Sequence, residues 1–405
     1  MKEKYGTFQT NKFQKIHSWY PYLAGFSSEL VEEKIKEFKI NNHQKIFDPF
    51  AGVGTTLLVA KENNIESAGV EINPFVVFIA NTKLFQNYNK IEIENTTKNL
   101  RGQILKYKNT TKRQFEFPDL LKRAFSPKIF EKLIFLKNEI ELIENKKVKD
   151  LFLLTLVSIL REVSNCSNFS PYLEFKKEKL IDIDVFSIYL NKLNNITTDV
   201  LSFKNTTKAK VFEGSAKDLS KINDKYDFII TSPPYLNNWD YSWITKIELF
   251  FLKYANSDKE LTNLLRNKLM KSSTYVLQNI NKEGELIIPD SKVKDKILEI
   301  ISKIENERKN KKNNSKKYDL AVREYFNDVY IIFQELSNIL NKGAHCLWII
   351  GDSALYGIHV PTDIISGEIA ELVGFELKGI EILRERRATR HSIGLRESII
   401  TLQKK

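Results

Sequence analysis

The sequence predicts an α/β fold in which helices pack on a wound β-sheet. Short apolar segments that end in small or polar residues alternate with longer segments of helical periodicity, which is the pattern of strands joined by helices. One apolar segment runs into a glycine-containing turn, and a later one runs into a pair of prolines. With 405 residues and 42% hydrophobic content, the chain can bury a large core and has room for two or three domain-sized units.

Seven segments are predicted as strands, and the seventh lies at the C-terminus. They are KIFDPF from Lys45, SAGVEINPF from Ser67, KVFEGSAKDL from Lys210, YDFIITSPPY from Tyr226, GAHCLWIIGDS from Gly343, FELKGIEIL from Phe375 and RESIITLQKK from Arg396. A long interval separates the second strand from the third, so we expect a large insertion there.

The composition favours a polyanionic partner. The chain has 63 Lys plus Arg against 51 Asp plus Glu, a formal net charge of +12 and a pI near 9.2, which suit nucleic acid; a merely Lys-rich and Asn-rich composition is the alternative. No apolar run approaches the roughly 20 residues of a membrane span, and the N-terminus MKEKYGTFQT has no apolar signal segment. We therefore expect a cytoplasmic protein that does not contact a membrane.

Cysteine and histidine usage argues against a metal site or a disulfide framework. The chain has two cysteines, far apart in sequence, and five histidines without metal-ligand spacing. Cys346 lies in an apolar run and is predicted to be a buried structural thiol, whereas Cys166, in VSNCSNFSPY, lacks such apolar cover. Neither cysteine is assigned a nucleophilic role.

Two insertions interrupt the predicted strands. The first, 82–207, has apolar residues recurring at three and four positions, which predicts a helical lobe. The second, 254–317, ends in the run ENERKNKKNNSKKYD, which is typical of a solvated, mobile loop, with a specific DNA contact as the alternative.

The segment FDPFAGVGTT, from Phe47 to Thr56, leads from a strand through a glycine turn into a helix. Gly52 and Gly54 permit a tight turn and a close backbone approach, and the helix N-terminus offers unpaired N–H groups, although many folds have such a turn for packing alone. Glu71 lies about twenty residues further on, where an acid can bind a ribose diol; a surface glutamate is the alternative. The turn has neither the GxGxxG ending nor a P-loop lysine, so a nicotinamide cofactor or a nucleoside triphosphate fits less well.

The segment TSPPY, from Thr231 to Tyr235, ends the predicted strand DFII. Two successive prolines are stiff and lack N–H donors, so they suit a rigid rim beyond a strand and leave fixed acceptors, including the Ser232 hydroxyl. Such acceptors can hold an exocyclic amino group while Tyr235 stacks on the base, so catalysis is by positioning and electrostatics. A simple strand terminator is the alternative.

On these residues, the sequence resembles the bacterial amino-methyltransferases of restriction–modification systems, which act on exocyclic amino groups in DNA. FDPFAGVGTT is similar to that family's cofactor loop and TSPPY to its catalytic loop, and a serine ahead of the prolines is typical of members that methylate cytosine N4. The resemblance implies a Rossmann-like fold that uses S-adenosylmethionine, with a seven-stranded mixed sheet, an antiparallel last strand and a helical insertion. It also implies double-stranded DNA as partner and allows a cognate restriction endonuclease as a second partner.

The resemblance also implies a set of site residues. The implied cofactor residues are Tyr20, Pro21 and Ser27 in HSWYPYLAGFSSELVEEKI, Asp48, Pro49, Phe50, Ala51, Gly52, Gly54, Thr55 and Thr56 in the first loop, Glu71 and Ile72, Asp218 beside the adenine ring, and Thr231. The implied catalytic residues are Ser232, Pro233, Pro234, Tyr235 and Asp240, with Asn238 and Tyr241 as further candidates for the base pocket. Either Asp240 or solvent is expected to take the proton that leaves the amino group.

The resemblance divides the chain into five sections. These are the cofactor-binding half of a catalytic domain (1–81), a helical insertion and candidate DNA-recognition lobe (82–207), the TSPPY half of the catalytic domain (208–253), a second insertion with a basic loop (254–317) and the C-terminal strands of the catalytic domain (318–405).

Two further segments have two interpretations each. RERRATRHSIGLRES, from Arg384, has five arginines and is interpreted either as a phosphate clamp or as a solvated hairpin loop. SNCSNFSPYLEFKK, from Ser164, suits a DNA-facing loop or an ordinary connection.

Three alternative functions stay open at this point. They are an adenine-N6 DNA methyltransferase, an RNA base methyltransferase and a catalytically silent subunit that binds nucleic acid.

Overall fold

A computed structural model of the chain describes residues 6–22, 25–108, 117–167, 173–176, 180, 182–236, 240–274, 277, 284–311, 316–387 and 393–405. The strands within these ranges are β1 (Lys45–Asp48), β2 (Glu66–Glu71), β3 (Ala209–Glu213), β4 (Tyr226–Thr231), β5 (Leu340–Gly351), β6 (Ser353–Leu355), β7 (Ile358–Val360), β8 (Phe375–Arg387) and β9 (Gly394–Lys404). The α-helices within them are α1 (Ser28–Glu37), α2 (Thr55–Glu62), α3 (Pro74–Leu84), α4 (Lys90–Lys106), α5 (Asp119–Ala124), α6 (Pro127–Glu141), α7 (Lys146–Ile159), α8 (Val185–Ser202), α9 (Tyr241–Ile244), α10 (Lys246–Phe251), α11 (Asp258–Leu261), α12 (Lys292–Lys309), α13 (Tyr318–Ile339) and α14 (Thr362–Leu372). Two short 3₁₀ helices, Thr10–Phe13 and His17–Trp19, precede α1, and a π-helical turn, Thr262–Arg266, follows α11.

One seven-stranded sheet forms the centre of the fold, in the order β3-β2-β1-β4-β5-β9-β8. The first five of these strands run parallel, and β9 runs antiparallel to both of its neighbours. The predicted seven-stranded mixed sheet with an antiparallel last strand is therefore confirmed. The hairpin of β6 and β7 was not predicted, and each of its strands has only three residues.

The sheet order places two strand ends side by side. β1 pairs with β2 on one side and with β4 on the other, in a register that sets Phe47 opposite Ile229. The order in which the chain adds strands to the sheet reverses at β1, because β2 and β3 lie on one side of β1 while β4 and β5 lie on the other. In open α/β sheets, a crevice forms beyond the strand ends at such a switch point.

Local sequence signals fix where the helices around this crevice begin. Ser27 caps α1 by accepting a hydrogen bond from the backbone N–H of Glu29, and Asn73 caps α3 by accepting one from Phe75. Pro74 occupies the first turn of α3, where its missing N–H costs nothing. These caps satisfy N–H groups that the first helical turn leaves without an internal partner.

The first insertion is helical, as predicted, and contains α4 to α8. Its helices bury amphipathic faces, for example Leu133, Leu136 and Ile140 of α6. They share one continuous hydrophobic cluster with Phe75 and Ile79 of α3, which flanks the sheet. The insertion therefore packs directly onto the sheet's helical layer.

Two expectations about single segments are wrong. The start of the charged run ENERKNKKNNSKKYD is the end of α12, because Ile297, Ile300 and Ile304 of this helix form a buried stripe; residues 312–315 of the run lie outside the described part of the chain. Cys166 has apolar cover, because the helical insertion folds around it and leaves it fully buried.

Within the described residues, no helix is both long enough and apolar enough to cross a membrane.

Candidate active site

A cavity of about 250 Å³ opens beyond the carboxyl ends of the central parallel strands. Ligands of wound α/β sheets bind at this edge, because the loops that follow the strands converge there. The predicted site residues that line the cavity are Pro49, Phe50, Gly52, Glu71, Ile72, Ser232, Pro233, Pro234 and Tyr235. Folding thus brings the glycine turn, the end of the second strand and the proline loop to one cavity.

The turn after β1 depends on two glycines. Gly52 and Gly54 have φ angles of 50° and 83°, which lie in the left-handed region that favours glycine. A Cβ added to Gly52 would lie 3.4 Å from the ring of Tyr22, another residue of the cavity wall. Bare backbone therefore forms this part of the wall, and a ligand can approach it closely.

Asp48 holds the two loops together from behind the cavity. Its buried carboxyl group accepts hydrogen bonds from the hydroxyl groups of Thr56 (2.7 Å) and Thr231 (2.6 Å) and from the backbone N–H of Phe50 (3.0 Å). Burial raises the pKa of Asp48 to about 6, although these three hydrogen bonds act in the opposite direction. Asp48 therefore acts on the geometry of the loops rather than on a ligand directly.

Glu71 lines the cavity at the end of β2. Its carboxyl oxygens accept hydrogen bonds from the backbone N–H groups of Gly52 (3.2 Å) and Asn73 (2.8 Å). Burial raises the pKa of Glu71 to about 7; the backbone hydrogen bonds lower it, and the charge of Asp48 raises it further. A carboxylate fixed in this way is an acceptor that can bind a diol.

The proline loop follows β4 without regular structure. Thr231 is fully buried and bonded to Asp48, so the loop starts from a fixed point. The carbonyl oxygen of Pro234 accepts a hydrogen bond from the hydroxyl group of Tyr325 (3.2 Å), and that of Leu236 accepts one from Ser353. The rim predicted from the two prolines is therefore held at its start and at its end.

Tyr235 is held at its ring and at its hydroxyl group. A Cβ added to Gly351, at the end of β5, would lie 2.9 Å from the Tyr235 ring, so the bare backbone of Gly351 packs against that ring. The Tyr235 hydroxyl group donates a hydrogen bond of 2.6 Å to Glu397 of β9. It also lies 3.3 Å from the Ser232 hydroxyl group.

Several predicted cofactor residues support the cavity wall from behind and do not line it. These are Asp48, Ala51, Gly54, Thr55, Thr56 and Thr231, all of them buried. Tyr20 is also buried, and its hydroxyl group donates to Glu248 (3.1 Å), while Ser27 is the N-cap of α1. Pro21 is exposed, and the neighbouring Tyr22 and Phe26 line the cavity instead.

Asp218 does not line the cavity. Its side chain is exposed, and it accepts hydrogen bonds from the backbone N–H (3.2 Å) and the hydroxyl group (2.6 Å) of Ser220. The residues of this loop that do line the cavity are Gly214, Ser215, Ala216 and Lys217. The geometry does not support the prediction that Asp218 holds a ring.

Asp240 is engaged away from the cavity. It is buried, caps α9 by accepting a hydrogen bond from the backbone N–H of Ser242 (3.0 Å), and forms an ion pair with Arg266 (3.0 Å). Tyr241, by contrast, lines the cavity. Asn238 lies outside the described residues. The geometry therefore does not favour Asp240 as a proton acceptor.

The predictions missed wall residues that come from the ends of the chain. Glu397, Arg384 and Arg386 of the C-terminal hairpin line the cavity, as do Gly6 and Thr7 near the N-terminus. Glu397 is a buried acid in the apolar segment RESIITLQKK, and that contrast is a signal that sequence inspection could have used.

The arginine-rich hairpin does not act as one unit. Arg384 forms an ion pair with Glu397, and Arg396 forms one with Asp363 (2.7 Å). Arg386 is exposed at the cavity, and its guanidinium group donates to the backbone oxygen of Asp352 (2.8 Å). Residues 388–392, with Arg390, lie outside the described part of the chain.

In the part of the chain that the structure describes, no group of three or more His, Cys, Asp or Glu side chains is placed to hold a metal ion.

Comparison with known proteins gives one family match and several full-length relatives. Residues 2–82 match the family model described as DNA methylase. The type II methyltransferase M.BsoBI of Geobacillus stearothermophilus is 28% identical over 454 aligned residues, which cover 98% of this chain and 87% of that protein. M.AvaI of Nostoc sp. is 26% identical, with 95% of this chain and 84% of that protein covered, and M.MvaI of Kocuria varians is 22% identical, with 90% and 83% covered.

Among solved structures, the rRNA methyltransferase aviRa from Streptomyces viridochromogenes aligns with 94% of this chain and 85% of its own, at 8% identity and a TM-score of 0.31. A TM-score this low supports no conclusion about function.

Proposed function

The chain is a DNA methyltransferase of the restriction–modification type, and on that premise we propose that it methylates the exocyclic N4 of cytosine in double-stranded DNA, with S-adenosylmethionine as the methyl donor. One observation carries the proposal: Ser232 to Tyr235 face the same cavity as the wall that contains Gly52 and Glu71. A site for methyl transfer needs a place for the donor and a place for the acceptor in contact with each other, and this cavity offers both.

The residues of the cavity wall that contains Gly52 and Glu71 fit the proposed cofactor. The Glu71 carboxylate would accept hydrogen bonds from the ribose hydroxyl groups, and the bare backbone at Gly52 leaves room for close approach. Phe50 and Ile72 offer apolar surface beside these groups. When bound, S-adenosylmethionine supplies an electrophilic methyl group.

We assign the acceptor side to the proline loop. The Ser232 hydroxyl group and the carbonyl oxygen of Pro233 would accept the two protons of an amino group and so orient the nitrogen lone pair. The target base must leave the stack to reach this loop, and Tyr235 would contact it in the pocket. Attack by an exocyclic amino nitrogen needs no cysteine nucleophile, in agreement with the burial of both Cys166 and Cys346.

Because Asp240 is paired with Arg266, we assign the released proton to solvent. Arg386 and Lys268 are exposed cations at the cavity mouth and would contact DNA phosphates. We further propose that the protein works in the cytoplasm beside a cognate restriction endonuclease, and that the helical insertion is a DNA-recognition lobe. The assignment of N4 over adenine N6 is supported by Ser232 ahead of the prolines.

The test is to incubate the protein with labelled S-adenosylmethionine and plasmid DNA, digest the DNA to nucleosides and identify the labelled one. Label in N4-methylcytosine is the expected result. Label in N6-methyladenine would keep the enzyme class and overturn the assignment of the target atom, and label only in RNA would replace the substrate. Ser232→Ala is the matched variant: it should lose most of the rate and keep cofactor binding, since Glu71 and the glycine turn are unchanged. Cofactor binding without transfer by the unaltered protein would indicate a silent subunit.

A further inference from the structure

We propose that Glu397 fixes the hydrogen-bond direction of the proline loop, and thereby makes Ser232 an acceptor that selects amino groups over carbonyl groups. This inference rests on the proposed function and extends it to residues of the C-terminal hairpin. Glu397 is a positioning residue, because it acts on the target base through Tyr235 and Ser232.

Glu397 is held at both carboxylate oxygens. One oxygen accepts the hydrogen bond from Tyr235 (2.6 Å), and the other pairs with the guanidinium group of Arg384. Only 1% of the Glu397 side chain is exposed, and the backbone of Gly6 covers it so closely that a Cβ there would collide with the carboxylate. A buried carboxylate of this kind keeps its place only if its charge is paired, and Arg384 provides that pairing.

The direction of each hydrogen bond follows from the chemistry of the groups. An ionised carboxylate can only accept, so the Tyr235 hydroxyl group must donate its single proton to Glu397. Burial, followed by the charge of Glu397, raises the pKa of Tyr235 well above its usual range, so the phenol keeps that proton. The Tyr235 oxygen can then only accept from Ser232, whose hydroxyl group lies 3.3 Å away.

Ser232 is the last group in this chain of hydrogen bonds. Once its proton points to Tyr235, its remaining lone pairs face the cavity, so it can accept hydrogen bonds there but has no proton left to donate. An exocyclic amino group offers protons and is bound, whereas a carbonyl oxygen at the same ring position would face those lone pairs. A site arranged in this way discriminates strongly, because the wrong partner leaves buried polar groups unpaired.

The experiment compares two DNA duplexes that differ at the methylated position. One carries the amino base, for example cytosine, and the other carries its oxo analogue, for example uracil. Affinity for each duplex and kcat on the amino duplex are measured for the unaltered protein, for Glu397→Gln and for Tyr235→Phe. In Glu397→Gln, the side-chain amide can donate a hydrogen bond to Tyr235. The directions of the hydrogen bonds that link Ser232, Tyr235 and residue 397 are then no longer fixed. We expect roughly a tenfold or greater loss of kcat and a similar loss of the preference for the amino duplex. Cofactor affinity should change less than about twofold, since the variant leaves Glu71 and Gly52 unchanged.

Two controls separate this role from a loss of stability. Asp363→Asn also breaks a buried carboxylate–arginine pair, between α14 and Arg396 of β9, but does not touch Tyr235. It should lower stability and keep the preference for the amino base. The double variant Glu397→Gln with Tyr235→Phe should lose no more kcat and no more preference for the amino duplex than Tyr235→Phe alone. Both changes interrupt the same series of hydrogen bonds.

The outcomes are distinguishable. A Glu397→Gln protein that keeps the normal preference for the amino duplex, or loses affinity for both duplexes equally, would overturn the inference while the proposed function stands. An unaltered protein that transfers no label to DNA would overturn the proposed function and this inference with it.

Discussion

The carboxyl group of Asp48, at the end of β1, accepts a hydrogen bond of 2.6 Å from the hydroxyl group of Thr231, at the end of β4. Both side chains are buried, and the two strands are neighbours in the sheet. Thr231 directly precedes Ser232, so this bond connects the glycine turn to the proline loop across adjacent strand ends.

Replacing Thr231 by valine should destabilise the fold by about 1–3 kcal/mol, because a buried acceptor on Asp48 loses its donor while the side chain keeps its shape. The activity of the variant should also fall, since the start of the proline loop is released. Urea unfolding and the methyl-transfer rate measure the two effects. Thr97→Val is the matched control: among the described residues the buried Thr97 hydroxyl group has no hydrogen-bond partner, so its loss should not destabilise the protein. Equal stability of both variants would contradict the role of the Asp48–Thr231 bond.

Cofactor affinity should rise with pH around neutrality. The pKa of Glu71 is about 7, so below that pH the carboxyl group is protonated and has lost acceptor capacity for a diol. If only the ionised form binds, affinity increases about tenfold between pH 6 and pH 8. Calorimetry in matched buffers measures this dependence.

Glu71→Gln is the control for that titration. The cofactor's own ionisations affect both proteins, so the ratio of their affinities isolates Glu71. A ratio that stays constant over this pH range would show that Glu71 does not contact the cofactor in its ionised form.

Gly351→Ala should lower kcat and change cofactor affinity little. The new methyl group would lie 2.9 Å from the Tyr235 ring and 3.0 Å from the Arg386 guanidinium group, so the ring must move. Gly379→Ala, on β8, is the matched control, because a Cβ there would meet no atom of the described residues within 4 Å. Steady-state kinetics should separate the two variants, and identical kcat values would refute the packing of Tyr235 on Gly351.

Asp218→Ala should leave cofactor affinity unchanged within about twofold, because the exposed carboxylate accepts its hydrogen bonds from Ser220 and lies off the cavity. The prediction from resemblance is the opposite, since it places Asp218 beside the adenine ring. Titration of S-adenosylmethionine into both proteins decides between them, with Glu71→Gln as the variant that should weaken binding. A large loss of affinity in Asp218→Ala would restore the earlier assignment.

Asp240→Asn should act on stability rather than on proton transfer. Asp240 and Arg266 form a buried ion pair, and removal of one charge from such a pair costs about 3 kcal/mol. Thermal unfolding should show the loss. Below the unfolding temperature, the shape of the pH–rate profile should match that of the unaltered protein. A profile that loses one of its limbs would instead identify Asp240 as the group that takes the proton.

The strands and the two loops could be predicted from the sequence because their signals are local. KIFD before the glycine turn and DFIIT before the two prolines combine an apolar run with an abrupt change of residue type, which marks both the strand and its end. The resemblance to DNA methyltransferases rested on these same segments and is confirmed by relatives that cover nearly the whole chain.

The rest could not be predicted, because it depends on contacts between distant segments. The Glu397 side chain faces the cavity only because β9 inserts between β5 and β8, and no local pattern near Glu397 specifies that order. Asp218 shows the converse case: it matches a motif by position, but the backbone turns its carboxylate to Ser220. The end of α12 could not be predicted from the charged run, because its last five residues, 305–309, include no apolar residue and the isoleucines that define the buried face all precede them.

The cavity wall extends along the chain from Gly6 to Glu397, with both insertions in between. During refolding, local helices form early, whereas contacts between residues so far apart in sequence must await the closure of long loops. The cavity should therefore be among the last features to form, so that recovery of ligand binding lags behind recovery of the helical signal. Methyl transfer would then report on completion of the whole fold, and a fragment from which either end of this wall is missing should retain helices without regaining activity.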